Sequence, residues 1–321
     1  MTNPHPVLRQ LPRRIGGLLL TLFLSSVVIF GAQKVTGDPV STITGGVRPT
    51  PELIAQVRAD YHLDDPVWSQ YLRWVGGVFT GDFGDSFVYK TPVMDLIGPR
   101  IGTTFLLVAY AVVLIVIFGV GSGLLAGVRG GRTDRAVMLA TSVGVALPTF
   151  VVAILLIWLF GRELSWFPVY GSGSGVLGTI HHLTLPAIAL AVLYIAYMSR
   201  ISRGAVVAQK GSEHVETARV RGIPGRLIFR RHVLYNASPQ ILSVSGATVA
   251  GLFAVSALAE QAFGINGLGS LLIEAAARND LPVVQVVSLI LVSLFVILNT
   301  AADLLSAAVD PSLLKSRKAN A

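Results

Sequence analysis

The chain has 321 residues, 53% of them apolar and only 13% charged, with a mean hydropathy of +0.68. That balance excludes an ordinary soluble domain, and zero cysteines exclude a disulfide framework, a thiolate metal site and a cysteine nucleophile. The net charge of +8 would suit nucleic acid if it were spread over a soluble surface, but its distribution along the chain argues otherwise.

Residues 101–128, 136–161, 236–259 and 281–302 carry no charge at all. Runs of about 18 or more apolar residues are long enough to cross a bilayer. Inside lipid they must be helical, because only a helix satisfies its own backbone. The first predicted span is Ile15 to Ala32, behind Arg9, Arg13 and Arg14. A secretory signal has the same outline, but Gln33 and Lys34 give no small-x-small cleavage site, so a retained anchor is expected.

Residues 33–100 follow outside the spans. Thr50-Pro51-Glu52 reads as N-cap, first helical residue and first-turn acid. Leu53, Ile54, Val57 and Tyr61 then recur at helical spacing. Asp65-Pro66 restarts the pattern for Trp68, Tyr71, Leu72 and Val75. Two amphipathic helices there form either a cap that meets a partner or a layer on the bilayer surface.

The next spans are Ile101–Val128, Ala136–Phe160, the short Leu183–Met198, Pro239–Ala259 and Val283–Ala308. Gly119, Gly123 and Gly127 repeat at four-residue spacing beside Gly121, as in close helix packing. No GxxxxGK[ST] is present, so the chain has no P-loop of its own. The Gly/Ser run 171–175 reads as an external turn, with His181-His182 in a wetted loop after it. Two adjacent histidines on a helix diverge by about 100° and make a poor metal pair. Pro148 and Pro186 either kink helices along a path or mark helix ends. Asp303 lies inside the last span and is either an ion site or a structural acid bonded to a neighbouring helix. Gly81-Asp82-Phe83-Gly84-Asp85 lies outside the spans, unlike a paired intramembrane protease site.

Lys and Arg set the orientation. The amino terminus, 129–135, 200–235 and the tail from 309 hold 17 basic residues and a net +13, whereas 33–100, 161–182 and 260–282 hold 8 and a net −4. The first set is therefore cytoplasmic, as are both termini. Topology and anionic headgroups account for the basic excess, so no nucleic-acid partner is expected.

Within 200–235, Ser212 is placed as an N-cap. Glu213 and Glu216 lie in the first turn and Arg219 and Arg221 near the end, as the helix dipole favours. Gly222 fits the left-handed position after the helix, and Pro224 stops it. Val215, Ala218 and Gly222 share a face. A helix this short needs a docking surface. The small residues Thr217, Ala218 and Gly222 would admit a partner closely, while the bland alternative is a helix lying at the headgroups.

Glu216-Thr217-Ala218, then Gly222 after three residues, resembles the EAA-x3-G signature of ABC-importer permeases, with Thr217 in place of an Ala. His232 to Tyr235 keeps only Leu234 of the later I-x-L-P. The segment is more similar to the dipeptide, oligopeptide and nickel branch. Thr217-Ala218-Arg219-Val220-Arg221-Gly222 matches its TARAKG-like core, and Arg231-His232-Val233-Leu234-Tyr235-Asn236-Ala237 its RHxLxNA. Thr36-Gly37-Asp38-Pro39, Leu63-Asp64-Asp65-Pro66, Gln70-Tyr71-Leu72-Arg73-Trp74 and Gly81-Asp82-Phe83-Gly84 extend the resemblance. So do Phe263, Gly267-Leu268-Gly269, Asp280, Pro282, Val283, Val284, Val287, Asn299, Asp303 and Asp310-Pro311, with Ser312 replacing a usual Arg.

The expected fold is an all-α polytopic membrane bundle of six spans. Residues 1–32 form the N-terminal tail and first span, 33–100 an extracytoplasmic helical cap, 101–308 the permease core with its 200–235 coupling loop, and 309–321 a cytoplasmic tail. The resemblance implies a permease subunit of a binding-protein-dependent importer for dipeptides or oligopeptides, in the inner membrane, and not an enzyme. Nickel or another small solute is the alternative within the family; a standalone ion-coupled carrier using Asp303 is the alternative outside it. The implied partners are a second homologous permease, two ABC ATPases, an extracytoplasmic binding protein and membrane lipid. ATP and Mg would sit on the ATPases, with no cofactor or metal on this chain. Glu216, Thr217, Ala218, Arg219 and Gly222 are the residues expected to couple to the ATPases.

Overall fold

The computed structural model describes residues 6–36, 39–44 and 49–309, with side-chain surroundings for 15–32, 39–44 and 49–305. Gly37, Asp38, Asp310, Pro311 and Ser312, and the tail beyond 309, lie outside the described residues. The described residues are helical, apart from turns and one isolated bridge between Asp85 and Pro92.

Helix α1 (Pro6–Thr36) carries the first span. Short α2 (Val40–Ile43), α3 (Pro51–Asp60) and α4 (Val67–Thr80) follow. Thr50 caps α3 as its sequence predicts, its side chain accepting from Leu53 N at 3.3 Å. Val40, Ile43, Val57 and Phe87 form a small core of their own under this segment. Helices α5 (Val93–Leu114) and α6 (Gly121–Arg129) run on as one 37-residue rod through a wider π-type turn at Ile115–Val120. The rod begins at Val93, earlier than the expected Ile101.

The third span is not one rod. Helices α7 (Gly131–Ala146) and α8 (Thr149–Leu156, continued by a π-type turn to Glu163) meet at 100°. Leu147 is extended (φ −92°, ψ 116°) ahead of Pro148. Proline lacks the N–H that would continue the ladder and drives its predecessor out of helical space. Of the two readings of Pro148, the helix end is the one observed: α7 stops at Ala146 and Pro148 precedes the first residue of α8.

The fourth span is far longer than the sequence suggested. Helix α9 (Gly175–Lys210) has 36 residues, about 54 Å at 1.5 Å per residue. It buries Pro186 in its interior and continues through Arg200 to Lys210 at the end holding the basic loops, so residues 200–210 are helix rather than loop. His181 and His182 lie in its first turns, not in a wetted loop. Their rings contact the Trp166 and Tyr170 carbonyls at 2.9 Å each and pin the preceding loop. Helix α10 (Glu213–Val220) and α11 (Gly225–Ile228) lead through a π-type turn (Phe229–Leu234) into α12 (Tyr235–Ala262); α13 (Leu268–Ala277) and α14 (Leu281–Val309) complete the described residues. Among the described residues, five helices are long and apolar enough to cross a membrane, six counting the bent α7–α8 pair.

The glycine repeat is a packing seam. A Cβ on Gly119, Gly123 or Gly127 would lie 3.1 Å from Ile195 O, 2.3 Å from Ser199 O and 2.8 Å from Val206 respectively, so α6 rests directly on α9. Gly121 points elsewhere, with nothing nearer than 4.0 Å. Gly246 meets Ala302 and Gly269 meets Ala257 in the same manner, joining α12 to α14 and α13 to α12.

Two buried acids lock the end opposite the basic loops. Glu260 accepts from Thr104 Oγ1 (2.8 Å) and Ser270 N (2.9 Å), and Thr104 Oγ1 accepts from Leu268 N (2.8 Å). Two N–H groups of the first turn of α13, which have no intrahelical partner, are thereby tied to α5 and α12. Asp280 accepts from Ser86 Oγ and Phe87 N, the latter at 3.0 Å, fastening the loop before α5 to the start of α14.

Candidate functional site at the basic end of the bundle

Helix α10 has the predicted limits and one unexpected detail. Ser212 takes extended backbone (φ −80°, ψ 149°) at the N-cap position, but its hydroxyl makes no cap. It donates to Gln209 O at 2.6 Å instead, tying the helix back onto α9. At the other end Gly222 has φ +74°. Its N–H donates to Arg219 O (2.9 Å), and Ile223 N donates to Ala218 O (3.2 Å). This pair of bonds is the Schellman stop, which glycine serves best.

The face shared by Val215 and Ala218 turns inward. Both are buried, with Val206, Ile228 and Val233 around them and Leu124, Ile223 and Phe229 alongside. Ala218 therefore cannot be a close-approach point for another protein; it is the foot of the helix on its own chain. The opposite surface carries Glu213, Glu216, Thr217, Arg219, Arg221 and Gly222, all exposed, and Val220 is 85% exposed. Of the five residues singled out from the sequence, four lie on this open surface and one is its anchor.

The support around α10 was largely invisible in the sequence. Arg203 on α9 makes a two-pronged ion pair with Asp134 on α7, one contact at 2.6 Å, and Lys210 Nζ donates to Gly127 O (3.1 Å) and Val128 O (2.8 Å). Lys210 thus satisfies orphan carbonyls at the end of α6. The Arg231-to-Ala237 segment packs beside α10: Asn236 Nδ2 donates to His232 O (2.7 Å) and lies 3.2 Å from His214 Nε2. These pairs join residues 69 to 83 positions apart, or 22 for Asn236 and His214. The hints were an acid, Asp134, among the basic residues of that end, and the Arg231-to-Ala237 motif. The result is a short, sharply ended helix, held from beneath by apolar packing and tied to α9 through Ser212 and to α12 through His214 and Asn236, with a polar outer surface and one bare valine; Arg203 and Lys210 in turn fasten α9 to α7 and α6. Asp303 is half-buried on α14 and engaged there.

Comparison with known proteins places this architecture. Two family models match, the binding-protein-dependent transport system inner membrane component over residues 119–315 and the N-terminal part of the same component over residues 7–108. The oligopeptide transport system permease protein OppB of Salmonella typhimurium is 34% identical over 96% of this chain and 99% of its own length. A probable peptide ABC transporter permease protein, y4tP of Sinorhizobium fredii, is 32% identical over 94% and 97%. The glutathione transport system permease protein GsiC of Escherichia coli is 32% identical over 96% and 99%. Among solved structures, an inward-facing MetNI methionine ABC transporter superposes with a TM-score of 0.55 at 19% identity, covering 67% of this chain and 97% of that one, a likeness of fold. The helical bundle, its separate short helix at the basic end and these matches over nearly the whole length lead to one conclusion: the chain belongs to the binding-protein-dependent transport system inner membrane component family, the membrane-spanning permease subunits of ABC importers.

Proposed function

We propose that this chain is one of two permeases lining the pore of an importer for short peptides, and that α10 is the element on which an ATPase subunit docks. The observation that carries the solute class is the 32–34% identity, end to end, to permeases named for peptide, oligopeptide and glutathione transport. The docking role is supported by the shape of α10. Val215 and Ala218 root the helix in the chain, and Glu216, Thr217, Arg219, Val220 and Gly222 remain open at its surface.

In this reading the basic end and both termini face the cytoplasm, following the asymmetry of Lys and Arg. ATP and Mg bind on the ATPases, and an extracytoplasmic binding protein presents the peptide at the other mouth. Closure of the ATPases displaces α10 as a rigid unit. Ser212 and the His214–Asn236 contact pass that displacement to α9 and α12, and Arg203 and Lys210 carry it from α9 to α7 and α6, because packed elements switch between discrete arrangements.

The test is reconstitution of the chain with a second permease, the ATPases and a binding protein in liposomes, offering oligopeptides, glutathione and Ni²⁺. Uptake of peptides that needs ATP and the binding protein is expected. Flux through this chain alone without ATP, or uptake confined to Ni²⁺, would overturn the reading.

A further inference from the structure

Helix α4 has an apolar arc about twice as wide as the chain covers. At 100° per residue, Tyr71, Trp74 and Val78 cluster on one edge, and Trp68, Leu72 and Phe79 lie within about 40° of one another on the other. The first edge is docked on α1. The Tyr71 hydroxyl lies 2.8 Å from Ser26 Oγ, and the Phe30 ring sits 5.4 Å from that of Tyr71 and 6.0 Å from that of Trp74. The second edge is bare: Trp68 is 68% exposed, Leu72 60% and Phe79 86%. The polar side is occupied within the chain. Arg73 pairs with Asp65 at 2.5 Å, and Gln70 donates to Leu63 O and Asp65 O at 3.0 and 2.8 Å.

The depth of the docked edge identifies what covers the bare one. The apolar stretch of α1 runs from Ile15 to Ala32, and Gln33 and Lys34 follow. Phe30 and Ser26 lie two and six residues inside that limit, about 3 and 9 Å at 1.5 Å per residue. An amphipathic helix lying at a membrane surface buries its apolar face about 5–10 Å into the headgroup and acyl boundary. The contact with α1 therefore holds α4 within lipid, and its bare edge continues the apolar surface of α1, where Leu24, Val27 and Val28 are also exposed.

We propose that α4 is an interfacial helix, its Trp68, Leu72 and Phe79 edge seated in the bilayer leaflet on the side opposite the basic loops. Residues 49–92 are then not a cap standing wholly in water. Their inner part, α4, is a membrane-lying collar around α1, and α3 with the 81–92 loop is carried above it. This placement is independent of the solute and of the docking role of α10.

The test uses the assembled transporter in lipid nanodiscs. Because the chain has no native cysteine, a nitroxide can be placed singly at Leu72→Cys and Phe79→Cys, with Thr80→Cys on the polar side of α4 and Glu52→Cys on α3 as water-facing probes. Relaxation by molecular oxygen, which concentrates in lipid, is compared with relaxation by water-soluble nickel-EDDA. The oxygen-to-nickel ratio is expected to be severalfold higher at 72 and 79 than at 80 and 52. Equal access of nickel-EDDA at all four positions overturns the proposal in favour of an aqueous cap. Exclusion of both agents from 72 and 79, with photo-crosslinking to the second permease or the binding protein, overturns it in favour of a protein seat.

Discussion

Gly222→Ala isolates how the stop of α10 contributes to transport. A Cβ at this position meets nothing within 4 Å in its own chain, so the substitution introduces no clash. What changes is the backbone: φ is +74°, and an L-residue there costs about 1–2 kcal/mol. Escape from that strain unwinds the bonds Gly222 N to Arg219 O and Ile223 N to Ala218 O. The helix has only eight residues and no intrinsic stability to absorb the loss. A cost of that size shifts the population of the intact stop by roughly 5–30-fold. Asn tolerates the left-handed region better than Ala, so Gly222→Asn should retain most of the function. The assay is substrate moved per ATP hydrolysed by the complete importer in liposomes. Gly222→Ala should lower that ratio with assembly unchanged, and Gly222→Asn should restore much of it. If Asn is as damaging as Ala, the position is crowded by another subunit rather than strained, and the backbone argument fails.

Other substitutions separate packing from polar locking. Gly123→Ala places a methyl 2.3 Å from Ser199 O and should destabilise the α6–α9 seam by about 1–3 kcal/mol, whereas Gly121→Ala should be neutral or slightly stabilising; thermal unfolding of the detergent-solubilised chain reads the difference. Glu260→Ala leaves the buried Ser270 N–H and Thr104 hydroxyl without their acceptor, at about 1–3 kcal/mol each. Glu260→Gln keeps one acceptor and should fall between wild type and Ala in the same measurement. Asp280→Ala frees Ser86 and Phe87, so backbone amides of 84–92 should exchange faster with deuterium while those of α9 stay unchanged.

The spans were legible because lipid demands long uncharged runs, and α10 was legible because its dipole charges, glycine and proline all mark its ends. The glycine seam was legible because the four-residue spacing of Gly119, Gly123 and Gly127 is itself the contact geometry. Lengths were less legible. Polar residues from Arg200 to Lys210 end the apolar run of α9 but not the helix. Pro148 marks a helix end, one of the two readings a single proline permits, but the 100° angle between the two helices was not legible in it. The inward turn of Ala218 was misread, since a small residue suits a close partner and a close seat equally well. Glu260, Asp280 and the Arg203–Asp134 pair were counted as loop charges because their partners lie 10 to 194 positions away. The fate of α4 was open because an amphipathic pattern describes a protein cap and a membrane surface alike; the contact of Tyr71 with Ser26 supplied the missing depth.

In the proposed importer, α10 is rooted by Val215 and Ala218 and touched by an ATPase on its open side. Single cysteines at Glu216 or Val220, in a chain that has none of its own, can be crosslinked by a short bifunctional maleimide in the assembled importer. Cysteine at Leu177, 84% exposed at the opposite end, serves as the control. Crosslinking to an ATPase subunit from 216 and 220 and not from 177, with a yield that changes on ATP addition, is the predicted result. Failure of both 216 and 220 to reach an ATPase, or their labelling from outside intact cells by an impermeant maleimide, would contradict it.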